Sequence, residues 1–374
     1  MYIKRKIQDR IETNLFKGQV IVIYGARQVG KTTILKELER KYASDAIYLN
    51  CDEPDVRDRL TDRTSTELLD IAGGKKLVLI DEAQRVKNIG LSLKLLVDNF
   101  PSIQIIATGS SSFELSNAIS EPLTGRKIEF HLHSLSLAEL ETVYSKTDID
   151  RMLEKIITFG MYPRVALATS IDAPNILDSL SESYLYKDAL EFQNIKKPEV
   201  IMKLLQALAL QIGNEVSYKE LATLLSMDKL TVEKYVDILE KAFIIFKVPP
   251  LSRNLRKEIG RMRKIYFYDT GVRNSLIRNY NDFSVRNDVG AMWENFMIAE
   301  RMKNNDNEGK KVKSFFWRTY DQKEIDYVEE YGGKIDGFEI KWREDAYKIP
   351  KDFTESYVGS SVSLVNRSNF RKFV

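Results

Sequence analysis

The sequence predicts an α/β fold built on a parallel sheet, with smaller domains following it. Three observations carry this. The apolar run Val20-Ile21-Val22-Ile23-Tyr24 leads into Gly25-Ala26-Arg27-Gln28-Val29-Gly30-Lys31-Thr32, a G-x-x-x-x-G-K-T loop, and the helical pattern Thr33-Ile34-Leu35-Lys36-Glu37-Leu38 follows it. A second apolar run, Leu77-Val78-Leu79-Ile80, passes straight into Asp81-Glu82, and unalternated strands of this kind belong in parallel sheets covered on both faces. A third, Gln104-Ile105-Ile106-Ala107, ends in Thr108-Gly109-Ser110.

The first element is a P-loop in its proper strand–loop–helix setting. Gly25 and Gly30 let the backbone bend round an anion. The N–H groups of residues 25–33, Thr33 included, and the positive end of the helix then face phosphate oxygens. Lys31 reaches the outer phosphates, and the Thr32 hydroxyl is placed to hold Mg²⁺. The expected ligand is ATP with Mg²⁺. In the second element, Asp81 is expected in the Mg²⁺ shell and Glu82 as the group that polarises the attacking water. At the end of the third, Thr108, with Ser110 behind it, is the candidate γ-phosphate sensor; the alternative is a hydroxyl that caps the next helix.

Length and composition bound the rest. At 374 residues the chain is expected to form two or three domains. With 43% hydrophobic and 30% charged residues it reads as a soluble globular protein. No apolar run approaches the ~20 residues of a membrane helix, so no membrane partner is expected. The basic start Met1-Tyr2-Ile3-Lys4-Arg5-Lys6 has no apolar stretch after it, which argues against a signal peptide. Cys51 is the single cysteine, consistent with a reducing, cytoplasmic setting. The net charge of +3 is too small to argue for nucleic acid by itself.

Ile3, Ile7, Ile11 and Leu15 give residues 1–18 a helical stripe, which either lies beside the nucleotide loop or pads the sheet. The run Ala46-Ile47-Tyr48-Leu49-Asn50-Cys51 is the second strand, and Asp52-Glu53 follows as a solvated loop or an acidic pair near the site. Leu91, Leu95 and Leu96 share a helix face. Leu123-Thr124-Gly125-Arg126-Lys127 precedes a fifth strand, Ile128-Glu129-Phe130-His131-Leu132-His133, whose two histidines have no third ligand near them in sequence.

Taken together, Gly-Ala-Arg-Gln-Val-Gly-Lys-Thr, Ile-Asp-Glu-Ala-Gln, Thr-Gly-Ser-Ser-Ser and Leu-Thr-Gly-Arg resemble an AAA+ type ATPase. More narrowly, they resemble a family of archaeal and bacterial ATPases with a C-terminal domain of unassigned function. The resemblance implies a parallel sheet of order 5-1-4-3-2 in residues 1–134 and a helical lid and connector in residues 135–200. It also implies Arg126 as a γ-phosphate contact, in cis or from a neighbouring subunit of a homo-oligomer. The competing role for Arg126 is a structural ion pair.

Residues 201–250 read as a winged helix-turn-helix. Ile201, Leu204, Leu205, Leu208 and Ile212 mark one helix, residues 218–225 a second and residues 230–239 the recognition helix. The exposed side of that helix is of mixed charge, so docking on protein competes with reading DNA. A basic stretch follows. Arg253, Arg256, Lys257, Arg261, Arg263 and Lys264 interleave with aromatic residues and form the candidate nucleic-acid contact, against the alternative of a solvated hairpin.

In residues 251–374 a helix around Trp293-Glu294 precedes three alternating runs: Phe315-Phe316-Trp317-Arg318, Glu324-Ile325-Asp326-Tyr327-Val328-Glu329 and Gly337-Phe338-Glu339-Ile340-Lys341-Trp342. Asp326, Glu339 and Lys341 resemble the PD-(D/E)xK nuclease core, with Glu294 as the helical acid and Ile325 where a proline often stands. The resemblance implies a restriction-endonuclease-like fold. It also implies a second Mg²⁺ or Mn²⁺ at these acids, in a catalytic domain or in one kept only for docking. The expected whole is an ATPase whose C-terminal domains engage DNA or a partner protein.

Overall fold

The computed structural model describes residues 2–109, 115, 119, 121–181, 198–252, 263–319, 321–343 and 346–374. The chain divides into two compact units, residues 1–135 with 241–243, and residues 136–240 with 244–374.

The first unit is built on a five-stranded parallel sheet. Its strands are β1 (Val20–Tyr24), β2 (Ala46–Asn50), β3 (Leu77–Asp81), β4 (Gln104–Gly109) and β5 (Lys127–His131). They lie in the order β2-β3-β4-β1-β5, the expected 5-1-4-3-2 arrangement. β1, β3 and β4 are buried along their whole length, which is why their sequences do not alternate. Helices Lys6–Thr13, Lys31–Lys41, Pro54–Leu60, Ser65–Ala72 and Ile89–Asn99 complete the unit. The Ser65–Ala72 helix starts at a capping box, Thr64 with Glu67, and ends at Gly73 in the left-handed conformation. In register, β1 pairs with β4 from Ile21–Ile106 to Tyr24–Gly109, and with β5 from Val20–Lys127 to Tyr24–His131. The ends of β1, β3 and β4 that carry Gly25, Asp81 and Thr108 are therefore brought to one edge.

The second unit opens with helices Leu137–Leu140, Lys146–Phe159 and Pro163–Ala166. Residues 182–197 of the expected lid and connector lie outside the described residues. Helices Pro198–Leu210, Tyr218–Leu225 and Lys229–Lys241 follow, with a three-stranded antiparallel sheet ordered β6 (Glu215–Val216), β8 (Arg263–Phe267), β7 (Ile245–Val248).

The 20-residue helix Val289–Glu308 then leads into a mixed sheet ordered β12-β11-β10-β9. Its strands are β9 (Lys313–Arg318), β10 (Glu324–Tyr331), β11 (Lys334–Ile340) and β12 (Ser361–Val365), with helix Lys351–Ser356 before the last. β10 is antiparallel to β9 and β11, while β12 joins β11 in parallel. The β10–β11 hairpin turns at Gly332-Gly333, both at positive φ (58° and 79°), as a two-residue hairpin turn requires. Trp317, Ile325, Val328 and Phe353 form a core against one face of this sheet. No helix among the described residues is long and apolar enough to cross a membrane.

Candidate functional site

The P-loop wraps tightly over the end of β1. A Cβ on Gly25 would lie 2.2 Å from the Leu132 carbonyl oxygen, so only glycine fits there. Gly30 has φ 107° and begins the Lys31–Lys41 helix. Gln28 is also at positive φ, on the exposed rim, while Val29 is buried. The Lys31 ammonium is buried under the loop and donates to the carbonyls of Gly25 at 2.8 Å and Ala26 at 2.9 Å. Thr32 and Thr33 stand exposed on the first helical turn. A loop with a glycine-only approach, a buried lysine and a helix N-terminus is a cradle of the kind a triphosphate needs.

Asp81 is the hub of the polar groups beside it. Its Oδ2 accepts from Thr32 Oγ1 at 2.6 Å and from the Tyr48 hydroxyl at 2.8 Å. Its Oδ1 accepts from Thr108 Oγ1 at 2.5 Å. The same Thr108 oxygen accepts the Glu82 N–H at 3.2 Å. Thr108 thus ties β4 to the end of β3 and sets both acids. In this conformation the hydroxyl donates to Asp81, which places it to position the acids. Ser110 lies outside the described residues. Glu82 is in the left-handed region (φ 52°), and its Oε2 accepts from Gln84 Nε2 at 2.6 Å. The strained backbone turns Glu82 out of the strand line, as functional residues often are. Thr32 and Asp81 are hard oxygen donors side by side, which suits Mg²⁺.

Two contributors were not legible in the sequence. Tyr48 on β2 reaches Asp81, and burial together with that hydrogen bond raises its phenol above its usual range. The Lys36 ammonium lies 3.3 Å over its ring. The polar tip of Tyr48 within an apolar strand was the one available hint. Arg5, just before the first helix, is buried. Its guanidinium donates to the Val29 carbonyl at 2.6 Å and to the His133 carbonyl at 2.7 Å. The N-terminal segment therefore braces the P-loop as well as burying Ile3, Ile7 and Ile11.

Arg126 is not near the P-loop of its own chain. Its carbonyl accepts from Val20 N–H at 2.8 Å, at the start of β1, whereas the P-loop leaves the other end. Five strand residues separate the two, roughly 16 Å. The expected contact in cis is therefore corrected. The Arg126 guanidinium pairs with Asp98 at 2.6 Å on the half-exposed surface.

In the second unit, Asp326 and Glu339 lie on neighbouring strands, one step beyond the Tyr327–Phe338 pair of the β10–β11 ladder. Glu294 approaches from the Val289–Glu308 helix. Two lysines run between these acids. Lys264 Nζ lies 2.5 Å from Glu324, 3.0 Å from Glu294 and 3.7 Å from Asp326 Oδ1. Lys341 Nζ lies 2.7 Å from Glu339 and 3.7 Å from Asp326 Oδ2. The Ile340 N–H donates to Asp326 and the Tyr266 hydroxyl to Glu294. Burial, with Asp326 beside it, pushes Glu294 up to about 7, and the same causes raise Glu339. Burial works against the charge of Lys264, but Glu294, Asp326 and Glu324 outweigh it and hold its pKa above the usual range.

This corrects two expectations. Among the described residues no group of three or more His, Cys, Asp or Glu side chains is arranged to hold a metal ion, because ammonium groups separate the carboxylates. Lys264 cannot be a surface contact to nucleic acid either, with its side chain 2% exposed. Arg263 stacks over the Tyr218 ring at 4.8 Å. Arg253, Arg256, Lys257 and Arg261 lie outside the described residues.

Residues 17–141 match the family model described as an AAA domain. Residues 150–282 and 289–370 match two models described as domains of unknown function, DUF8612 and DUF4143. An uncharacterized protein of Mycobacterium tuberculosis is 28% identical over 346 residues, spanning 90% of this chain and 74% of that protein. One from Methanocaldococcus jannaschii is 30% identical over 268 residues, 65% of this chain and 59% of its own. One from Haemophilus influenzae is 24% identical over 374 residues, 95% and 88%. Among solved structures, the Thermotoga maritima RuvB Holliday junction branch migration motor aligns at a TM-score of 0.33 and 17% identity, covering 66% of this chain and 90% of that one. Drosophila ORC bound to AT-rich DNA and Cdc6 aligns at 0.28 and 10%, covering 73% and 90%. Residues 17–141 are thus similar to an AAA domain, and the models that the following residues match name no function.

Proposed function

We propose that this protein is a Mg²⁺-dependent ATPase whose second unit engages DNA or a partner protein. The observation that carries the reading is the convergence of Thr32 and Asp81 at 2.6 Å beside the buried Lys31. Bound MgATP would supply the phosphoanhydride that is cleaved. With it bound, Lys31 would exchange the Gly25 and Ala26 carbonyls for phosphate oxygens, Thr32 and Asp81 would hold Mg²⁺, and Glu82 would orient water. Arg126, fixed at the far end of the sheet by Asp98, serves a neighbouring subunit of a homo-oligomer rather than its own loop. Steady-state phosphate release with and without DNA tests the reading. Turnover lost in Lys31→Ala and Glu82→Gln supports it; hydrolysis equal to wild type in both variants ends it.

In the second unit, the helix–strand–helix–helix–strand–strand order of residues 198–267 supports a winged helix. The mixed sheet of β9–β12 with Asp326, Glu339 and Lys341 supports a nuclease-like fold. A specific observation favours the docking form of that domain over the cleaving one: Lys264 sits among the acids. On this second reading the protein is a nucleotide-held switch with slow hydrolysis. DNA cleavage with Mg²⁺ or Mn²⁺ that Asp326→Ala abolishes would overturn it.

A further inference from the structure

We infer that Lys264 is the resident cation of the acidic centre in the second unit, standing where three converging carboxylates would otherwise require a divalent metal ion. The proposal rests on the order of charges along the cluster. Glu324 and Glu294 flank Lys264; Asp326 follows; Lys341 and Glu339 complete the line. Lys264 meets three carboxylates and Lys341 two, and Asp326 offers one oxygen to each lysine.

Lys264 comes from β8, a strand of the three-stranded sheet, and its side chain is 2% exposed. A lysine so deep carries a heavy desolvation cost and is retained only where acids surround it. Here Glu324, Glu294 and Asp326 do so, and Tyr266 donates to the same Glu294 oxygen that the lysine meets. The opposite end of the cluster shows what remains of an anionic site. The Glu339 side chain is 6% exposed, and its Oε2 accepts no hydrogen bond from the described residues. Four carboxylates face two ammonium groups and, at 3.9 Å from Glu324, the Arg318 guanidinium, so removing Lys264 leaves four carboxylates against two cations around a vacated space. That arrangement selects a hard divalent ion. Lys264 also fastens β8 to the helix and strands that carry the acids, so the centre acts as a polar rivet.

The experiment uses the full chain without nucleotide and Mn²⁺ as the probe, with bound metal counted by electron paramagnetic resonance. Weak Mn²⁺ binding near Asp81 is common to every variant and cancels. Wild type and Asp326→Asn are expected to give the same isotherm. Lys264→Met is expected to bind one additional Mn²⁺ per chain and to gain several degrees of thermal stability with it. Asp326→Asn added to Lys264→Met should remove both effects, and Lys264→Arg should resemble wild type. If Lys264→Met does not fold, Lys264→Met with Glu294→Gln takes one charge of each sign from the cluster and replaces it in the same titration. A wild-type site lost in Asp326→Asn would overturn the proposal, because the centre would already hold metal. A folded lysine-free variant that binds no additional Mn²⁺ would overturn it equally.

Discussion

The Thr108 hydroxyl donates to Asp81 at 2.5 Å while accepting the Glu82 backbone N–H at 3.2 Å. One side chain on β4 thereby fixes two acids at the end of β3. Thr108→Val keeps the shape and removes both bonds. Groups that orient metal ligands are typically worth ~10–100-fold in activity. We expect kcat for ATP to fall by about that much with KM changed far less, and Thr108→Ser to restore most of it. A Thr108→Val enzyme altered only in KM would instead make this residue a ground-state nucleotide contact.

Lys31 and Glu82 should separate binding from turnover. Lys31→Ala removes the loop's buried ammonium, and with it the tie to the Gly25 and Ala26 carbonyls, so nucleotide binding should be lost. Glu82→Gln retains the side-chain size and the Gln84 contact. It should bind a fluorescent ATP analogue as wild type does and turn over at least ~100-fold more slowly. Binding assayed next to phosphate release distinguishes the two.

Arg5 is expected to act on the nucleotide through Val29. Its guanidinium spans the Val29 and His133 carbonyls, so Arg5→Ala leaves two buried acceptors short of a charged donor. Losing such a bond costs on the order of 1–3 kcal/mol, part of it in loop geometry. KM for ATP should rise roughly 10-fold with a smaller change in kcat, at a concentration where the variant is folded. Arg5→Lys, which keeps the charge and loses the forked geometry of the guanidinium, should lie between. Equal loss of kcat and unchanged KM would point to general destabilisation.

Arg126 should work between subunits. ATP hydrolysis should then rise more steeply than linearly with protein concentration. Mixing inactive Lys31→Ala with Arg126→Ala should recover part of the activity, since an arginine supplied to a neighbouring site is worth ~10³–10⁵ in rate in well-studied cases. Linear dependence with no recovery would leave Arg126 with its Asp98 pair alone.

The parts of this protein that were legible in sequence are those encoded locally. Gly25, Gly30, Lys31 and Thr32 declare a loop within eight residues, and the unalternated runs before Asp81 and Thr108 declare buried parallel strands. The alternating runs Glu324–Glu329 and Gly337–Trp342 declare strands in the same way. Arg5, Tyr48 and Lys264 were not legible because their roles arise from partners far along the chain. Arg5 meets carbonyls 24 and 128 residues away. Lys264 stands in a basic run and reads as a surface cation; only the fold brings it to Glu294 and Glu324. For Arg126 the sequence left a contact in cis, one to a neighbouring subunit and a structural ion pair open, because a motif gives spacing along the chain and not which end of the sheet a strand presents.

Glu294 gives the second unit a pH dependence of definite sign. Burial, with Asp326 beside it, holds its pKa at about 7 against an ordinary 4.5. The folded state therefore binds more protons than the unfolded chain between those values, and stability falls as pH rises through that window. The penalty is absent below about 4.5 and complete above about 7. At about 1.4 kcal/mol per tenfold change in proton affinity, its ceiling is on the order of 3 kcal/mol. All three tryptophans, Trp293, Trp317 and Trp342, belong to this unit, so their fluorescence reports its unfolding selectively. Denaturation of the full chain at pH 5 and pH 8 should show wild type losing stability toward the higher pH. Glu294→Gln keeps an oxygen for Tyr266 and Lys264 but cannot ionise, so its loss should be smaller by up to that amount. Glu339, raised for the same reasons, should leave a residual slope in Glu294→Gln that Glu339→Gln reduces further. Parallel pH profiles for wild type and Glu294→Gln would mean that Glu294 titrates as an ordinary carboxylate in the folded protein.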